Sequence, residues 1–110
     1  MENNIQVPEK GFYYHYKHDP NGPINNYAYE VVGLGQHTEL HDNPAGVMVI
    51  YRPLYEAYVY KQGKWFDVRP RDMFVENVTK GDKTFPRFSK ITDPSVITEL
   101  EKIREKMYTG

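Results

Sequence analysis

The stretch that most constrains the fold lies between Val47 and Glu76 and reads VMVIYRPLYEAYVYKQGKWFDVRPRDMFVE. It holds the densest run of apolar and aromatic residues, the single tryptophan of the chain (Trp65) and two Arg-Pro steps. β-Branched and aromatic residues favour strands, whereas a proline ends a strand or confines it to a sheet edge. The stretch therefore predicts a strand over residues 47–52 that Pro53 ends, with further strands pairing beside it.

Segments of alternating or aromatic residues on both sides of this first strand, and within the rest of the stretch, predict the remaining strands. Strands are expected over residues 11–17, 27–35, 55–60, 64–68 and 86–91. Gln62-Gly63 is interpreted as the turn of a hairpin, and Gly33 and Gly35 indicate a β-bulge or a close approach of another backbone. Pro70 is expected to begin a single helical turn, because proline is favoured at the first position of a helix.

The C-terminal segment carries the clearest helix signal in the sequence. Asp93 is a good N-cap, and Pro94 suits the first helical position. Apolar residues then recur at intervals of four, three and four, at Val96, Leu100, Ile103 and Met107. This spacing places them on one face of a helix over about residues 94–107, with charged residues on the other face.

These elements predict a small α+β protein that is mainly β. A chain of 110 residues suits one domain with one core. The expected architecture is an SH3-like β-barrel or a strongly bent antiparallel sheet, closed by the C-terminal helix. Residues 1–10 are polar and lack periodicity, which predicts a flexible N-terminal arm before a single domain over residues 11–110.

Composition and charge exclude several classes of protein. The net charge of -1 gives no general attraction to nucleic acid, so such binding would need a local basic patch. The chain has no cysteine, which excludes disulfides and thiolate chemistry. The sequence shows neither an apolar run near twenty residues nor a secretory signal, so we expect a cytoplasmic protein without membrane contact. Ten tyrosines and five phenylalanines are the unusual feature, and aromatics are typical of strands and of recognition surfaces.

Basic residues interleaved with aromatic ones indicate an anionic ligand. The arginine guanidinium binds phosphate or carboxylate through two parallel hydrogen bonds, and aromatic rings stack on bases. The set comprises His15, Tyr16, Lys17, Arg52, Tyr55, Arg69, Arg71 and Arg87. The alternative is that these arginines pair with carboxylates such as Glu30 and Glu76. We favour that structural role for Arg52 and Arg87.

A second cluster lies in the sequence His37-Thr38-Glu39-Leu40-His41. On a strand, residues 37, 39 and 41 would share one face, so that two imidazoles and a carboxylate could hold a metal ion. The alternative, which we favour, is a polar strand end whose side chains are solvated.

Catalysis is a further hypothesis for the same cluster. His37, oriented by Glu39, would serve as the general base of a small hydrolase or transferase. Neighbouring residues on a strand point to opposite faces, which disfavours a direct pair between His37 and Thr38. No cofactor is predicted, since Gly33-Leu34-Gly35 alone does not form a phosphate-binding or dinucleotide motif.

An ordered set of short segments extends through residues 11–88. The segments are GFYYHYK at 11–17, YEV at 29–31, HTE at 37–39, VIYRPLY at 49–55, VRP at 68–70, MFVE at 73–76 and RF at 87–88. Together they resemble the small bacterial domain of unknown function numbered 1653. That family has no settled activity, so the resemblance implies a bacterial cytoplasmic domain and supplies no mechanism. His41 lies outside the family pattern, which counts against the metal site.

The leading hypothesis is a binding module for an anionic ligand, a nucleotide or single-stranded nucleic acid. The candidate ligand-binding residues are His15, Lys17, His37, Thr38, Glu39, Tyr55, Arg69 and Glu76. The second hypothesis is the hydrolase or transferase that uses His37 and Glu39, with or without a metal. The third is a domain whose exposed strand edge or aromatic surface binds a protein partner.

Overall fold

The computed structural model describes residues 7–109 and contains one curved sheet, one separate hairpin and three helices in that range. The strands are β1 (Gly11–His15), β2 (Ala28–Gln36), β3 (Val47–Pro53), β4 (Asp67–Pro70), β5 (Asn77–Lys80), β6 (Lys83–Pro86) and β7 (Phe88–Lys90). The helices are α1 (Tyr58–Gly63), α2 (Arg71–Phe74) and α3 (Pro94–Tyr108), and 3₁₀ turns occupy Thr38–Leu40 and Pro44–Gly46.

Five strands form an antiparallel sheet in the order β4-β3-β2-β1-β7, and β5 pairs with β6 alone. β4 and β7 are the two edges, yet Cζ of Arg69 in β4 lies 5.8 Å from the centre of the Phe88 ring in β7. The sheet therefore curls strongly, and its edges approach each other across the concave face. The small α+β fold with an antiparallel sheet and a terminal helix is confirmed. A closed SH3-like barrel is not, because β4 and β7 share no ladder in the described part of the chain.

The convex face of the sheet packs against α3. Asp93 caps the helix by accepting a hydrogen bond from the backbone N of Ser95 at 2.9 Å, as the sequence predicts. Leu100 is fully buried within a cluster that also contains Phe12, Ala28, Leu54 and Ile91. The predicted apolar face of α3 is thus confirmed, and the helix continues one residue beyond Met107.

The helix α2 covers the concave face of the sheet, opposite the face that packs against α3. Its Phe74 is 2% exposed and stacks on Phe88, with ring centres 4.1 Å apart. The edge of the same ring meets Tyr13 and Tyr51. Alternation along β1 accounts for this division of the core, since Phe12 faces α3 while Tyr13 faces α2.

Glu30 links the convex face of the sheet to α3. One carboxylate oxygen accepts a hydrogen bond from Nε of Arg52 at 3.0 Å, and the other accepts one from a terminal nitrogen of Arg104 at 3.0 Å. The Arg52 guanidinium also lies 4.1 Å from the centre of the Tyr108 ring. The structural role predicted for Arg52 is confirmed.

Replacement of Glu30 by Gln is expected to reduce the free energy of unfolding by about 2 kcal/mol, because two half-buried guanidinium groups lose their only shared carboxylate. Glu99→Gln on the surface of α3 is the control, since Glu99 pairs only with Lys102 in the described structure and both side chains are exposed. Urea unfolding monitored by circular dichroism measures both. Equal stability of the two variants would show that the Glu30 network contributes nothing.

The predicted hairpin around Gln62-Gly63 is wrong. These residues end α1, and the backbone N–H of Lys64 donates to the carbonyl oxygens of Tyr60 and Val59. Lys64 itself adopts a left-handed conformation with φ 58°, as residues that end helices often do. The glycine therefore marks a helix end rather than a turn between strands. The bulge near Gly33 and the helical turn after Pro70 are confirmed.

The predicted N-terminal arm covers residues 1–10, of which residues 1–6 lie outside the described part of the chain. The backbone oxygen of Glu9 accepts a hydrogen bond from the Tyr13 hydroxyl at 2.9 Å. Val7 and Pro8 line a cavity of about 500 Å³, together with residues of β7 and α2. Among residues 7–109, no helix has the length and hydropathy that a membrane crossing requires.

Candidate functional site

The curl of the sheet gathers polar and aromatic side chains at one end of its concave face. We call this group the concave-face cluster, and it consists of His15, Tyr29, Tyr51, Tyr55, Asp67, Arg69, Arg87 and Phe88. The Phe88 ring is its centre, since the rings of His15, Tyr29 and Tyr51 lie 5.1, 5.8 and 5.6 Å from it. Strands from both edges of the sheet thus contribute to one site.

Arg69 is the cation of the cluster whose terminal nitrogens have no hydrogen-bond partner among the described residues. Its Nε donates a hydrogen bond to the Tyr51 hydroxyl at 3.1 Å, which fixes the direction of the guanidinium. Within residues 7–109, no carboxylate oxygen lies within 4.0 Å of its nitrogens. Of the two roles considered for this residue, ion pairing with a carboxylate is therefore absent from the described structure.

His15 reports the electrostatic character of the cluster. Burial of the ring, followed by the charges of Arg69, Arg87 and Lys17, lowers the pKa of His15 to about 4. The imidazole is therefore neutral at pH 7. Its Nδ1 accepts a hydrogen bond from the backbone N of Lys17 at 3.2 Å, so the proton of the neutral ring resides on Nε2. Burial is the first cause that disfavours the imidazolium, and the positive charges that add to it favour an anion.

Arg87 belongs to the cluster, and Glu76 borders it. A terminal nitrogen of Arg87 donates to a carboxylate oxygen of Glu76 at 3.2 Å, so the structural pairing predicted for Arg87 is confirmed. The Nε atom of Arg87 is buried and has no hydrogen-bond partner in the described part of the chain. Glu76 acts on the cluster through Arg87, while Lys17 lies exposed beyond the end of β1.

Tyr29, Tyr55 and Asp67 form the opposite half of the cluster. The two tyrosine hydroxyls are hydrogen-bonded to each other. Burial raises the pKa of the Tyr29 hydroxyl, and its hydrogen bond with Tyr55 adds to the rise. Burial also raises the pKa of the Asp67 carboxyl, which the nearby charge of Arg69 partly offsets. Asp67 is not among the candidates expected from the sequence, although its spacing of two from Arg69 on a strand indicates that the two side chains share a face.

His37, Thr38 and Glu39 do not join the concave-face cluster. They lie just beyond the C-terminal end of β2, whereas His15 lies beside its start, where the N–H of His15 donates to the oxygen of Tyr27. The nine residues of β2 separate the two places by about 30 Å. The candidates therefore occupy two separate places, and His15, Tyr55 and Arg69 are those that the structure brings together.

The strand geometry on which the metal hypothesis depends is also absent. Residues Thr38–Leu40 form a 3₁₀ turn, so His37, Glu39 and His41 do not alternate on one face. The Nδ1 atom of His37 caps this turn by accepting a hydrogen bond from the backbone N of Glu39 at 3.1 Å. No group of three histidine, cysteine or acidic residues in the range 7–109 is arranged to hold a metal ion.

The same cap argues against His37 as a general base oriented by Glu39. The contact between the two residues runs from imidazole to backbone, and the described structure contains no hydrogen bond between the ring and the carboxylate. Both side chains are exposed at the surface. A local hydrogen bond to the backbone, typical of residues that begin a turn, accounts for His37 at this position.

Comparison with known proteins extends over most of the sheet. The family model described as protein of unknown function (DUF1653) matches residues 11–90, a range that includes the whole concave-face cluster. A crystal structure of a DUF1653 protein from Bordetella bronchiseptica is similar, with 28% sequence identity and a TM-score of 0.57. The similarity covers 79% of this chain and 91% of the other. None of the curated proteins matches. The chain belongs to the DUF1653 family.

Proposed function

We propose that the protein is a binding module for a nucleotide, which occupies the concave-face cluster. The observation that supports this most directly is Arg69, a half-buried guanidinium that is oriented by Tyr51 and not paired with a carboxylate in the described structure. A guanidinium in that state binds phosphate through charge-assisted hydrogen bonds. Nε2 of His15 supplies a further N–H donor. The centre of the His15 ring lies 5.1 Å from that of the Phe88 ring, and Cζ of Arg69 lies 5.8 Å from the same Phe88 ring.

The aromatic rings around these cations supply a surface for a planar base. The Tyr27 ring is 37% exposed and lies 5.7 Å from His15 and 5.8 Å from Tyr55. Stacking of a base on such rings contributes about 1–3 kcal/mol. A ligand that combines one phosphate with one base would therefore use both halves of the cluster.

The grouping of the cations favours a mononucleotide over a strand of nucleic acid. Arg69, Arg87 and Lys17 all act on the single imidazole of His15, rather than following a groove. Single-stranded nucleic acid is bound by basic residues spaced along the backbone over several nucleotides. We expect an oligonucleotide to bind no more tightly per phosphate than its terminal nucleotide.

The direct test is titration of isotope-labelled protein with a mononucleotide, followed by two-dimensional NMR. The expected result is saturable shifts at His15, Arg69 and Arg87, with weaker binding at higher salt concentration. The matching nucleoside, which lacks phosphate, is the control ligand and should bind much more weakly. Equal binding of nucleoside and nucleotide, or shifts confined to His37 and Glu39, would contradict the proposal.

Binding of an anion is expected to raise the pKa of His15 above its value of about 4 in the free protein. The imidazolium form gains a favourable partner, so nucleotide affinity should increase as the pH falls through the raised pKa and level off below about 4. An NMR titration of the imidazole signals with and without ligand measures the change. The exposed His41 ring is the internal control, and its signals should not respond to the ligand.

The stability of the free protein should depend on pH in the opposite sense to the nucleotide affinity, and should decrease as the pH falls. The folded pKa of His15 lies at about 4 and its unfolded value at 6.5, so the unfolded chain takes up a proton first as the pH falls. This contribution to stability is present above pH 6.5 and is lost as the pH falls towards about 4. His15→Gln should remove this part of the pH dependence, which urea unfolding of both proteins at several pH values measures. The same pH dependence in wild type and variant would contradict the prediction.

A further inference from the structure

We infer that Asp67 selects the base of the bound nucleotide, and that its carboxylate accepts hydrogen bonds from the N1–H and N2–H groups of guanine. The inference rests on the proposed function, because it assigns the ligand class of the same cluster. It adds a specificity-determining residue that neither the sequence motifs nor the family match indicates.

The Asp67 carboxylate is half-buried without a donor to satisfy it. Residues 7–109 provide no hydrogen bond to its oxygens, and burial is the main cause of its raised pKa. The neighbouring hydroxyls do not donate to it in the described structure: those of Tyr29 and Tyr55 bond each other, and that of Tyr51 accepts a hydrogen bond from Arg69. A half-buried carboxylate in this state gains from a ligand that brings N–H groups to it.

The position of Asp67 relative to Arg69 matches a ligand with an anion at one end and donors at the other. The two residues alternate on β4, so both face the concave side with Cα atoms about 7 Å apart. Asp67 pairs in register with Tyr51, while the Arg69 guanidinium reaches across to Phe88. No ion pair within 4.0 Å forms between their side chains.

The chemistry of the four bases singles out guanine. A carboxylate presents two acceptor oxygens and no donor when it is ionised. The Watson–Crick edge of guanine has two adjacent donors, N1–H and N2–H, and fits this pair. Adenine and cytosine each place an acceptor nitrogen next to their amino group, and uracil flanks its single N–H with carbonyl oxygens. Each of those three bases would set a lone pair against the carboxylate.

The test compares GMP, AMP, CMP and UMP by isothermal titration calorimetry with the full chain. The wild-type protein should bind GMP at least about tenfold more tightly than the others, in line with the 1–3 kcal/mol of one bidentate contact. Asp67→Asn should weaken GMP binding by about the same factor and leave UMP binding nearly unchanged. Asp67→Glu, which keeps the carboxylate, should retain part of the preference. Asp82→Asn in the exposed turn between β5 and β6 is the charge-matched control.

Each outcome of this comparison decides something different. A GMP preference that disappears in Asp67→Asn, with an unchanged NMR fingerprint of the fold, supports the inference. Equal binding of the four nucleotides, or a GMP preference that survives in Asp67→Asn, overturns the role of Asp67 and leaves the nucleotide site intact. No binding of any nucleotide by the wild-type protein overturns both the inference and the proposed function.

Discussion

Replacing Phe74 with Ala is expected to reduce the free energy of unfolding by about 3–5 kcal/mol, the cost typical of deleting a buried phenylalanine ring. Phe74 is 2% exposed and contacts Phe88, Tyr13 and Tyr51, three rings contributed by three different strands. Domains of this size are stable by only about 5–15 kcal/mol, so the loss is a large part of the total. The Phe88 ring would also lose its stacking partner, which disturbs the centre of the concave-face cluster.

Met73→Ala is the matched control for this prediction, because Met73 precedes Phe74 in the same helix but is 46% exposed. It should change the free energy of unfolding by no more than about 0.5 kcal/mol. Urea unfolding followed by far-ultraviolet circular dichroism measures both variants. Similar stability of the two variants would mean that α2 does not stabilise the core on the concave face of the sheet.

The elements that sequence predicts best are those with a periodic pattern and a chemical stop signal. The helix over 94–108 follows from the apolar spacing of four, three and four after Asp93-Pro94. β3 follows from a run of β-branched residues that ends at Pro53. In contrast, α1 has no apolar face to distinguish it, and its Gly63 fits a helix end as well as a hairpin turn. Local pattern alone does not separate these two alternatives.

The site is harder to predict because it depends on the curl of the sheet. His15 and Arg69 lie on strands that are three positions apart in the sheet order, and only the curl brings their side chains to the same ring, Phe88. The chemistry of each residue is visible in the sequence, but its distance from the other is not. The strand geometry that the metal hypothesis requires at residues 37–41 does not form, because the His37 side chain accepts a hydrogen bond from the backbone N–H of Glu39 and begins a turn.

The position of Asp67 follows from the alternation of side chains along a strand. Arg69 is conspicuous because it precedes a proline and follows a tryptophan-containing segment, and residue 67 necessarily shares its face on a strand. An acidic residue two positions from a cation on a strand usually indicates an ion pair between them, so sequence alone does not indicate a ligand-binding role for this carboxylate. In the structure both groups face the concave side, and no ion pair within 4.0 Å forms between them.

Arg69→Gln is expected to weaken nucleotide binding by about 10- to 100-fold, since one charge-assisted interaction with phosphate contributes about 1.5–3 kcal/mol. Glutamine keeps a hydrogen-bond donor of similar length but removes the charge and the planar fork. Arg69→Lys, which restores the charge alone, should recover part of the affinity. The measurement is calorimetric titration with a mononucleotide, with Lys102→Gln on the exposed side of α3 as the control for net charge.

His15 provides an independent readout of the same substitution. The charge of Arg69 follows burial among the causes that hold the pKa of His15 down, so Arg69→Gln should raise that pKa in the free protein, whereas Lys102→Gln should not. Loss of binding together with a raised His15 pKa places the guanidinium beside both the imidazole and the phosphate. Full binding by Arg69→Gln would instead mean that the phosphate lies elsewhere. The unpaired guanidinium would then be a structural donor to Tyr51 alone.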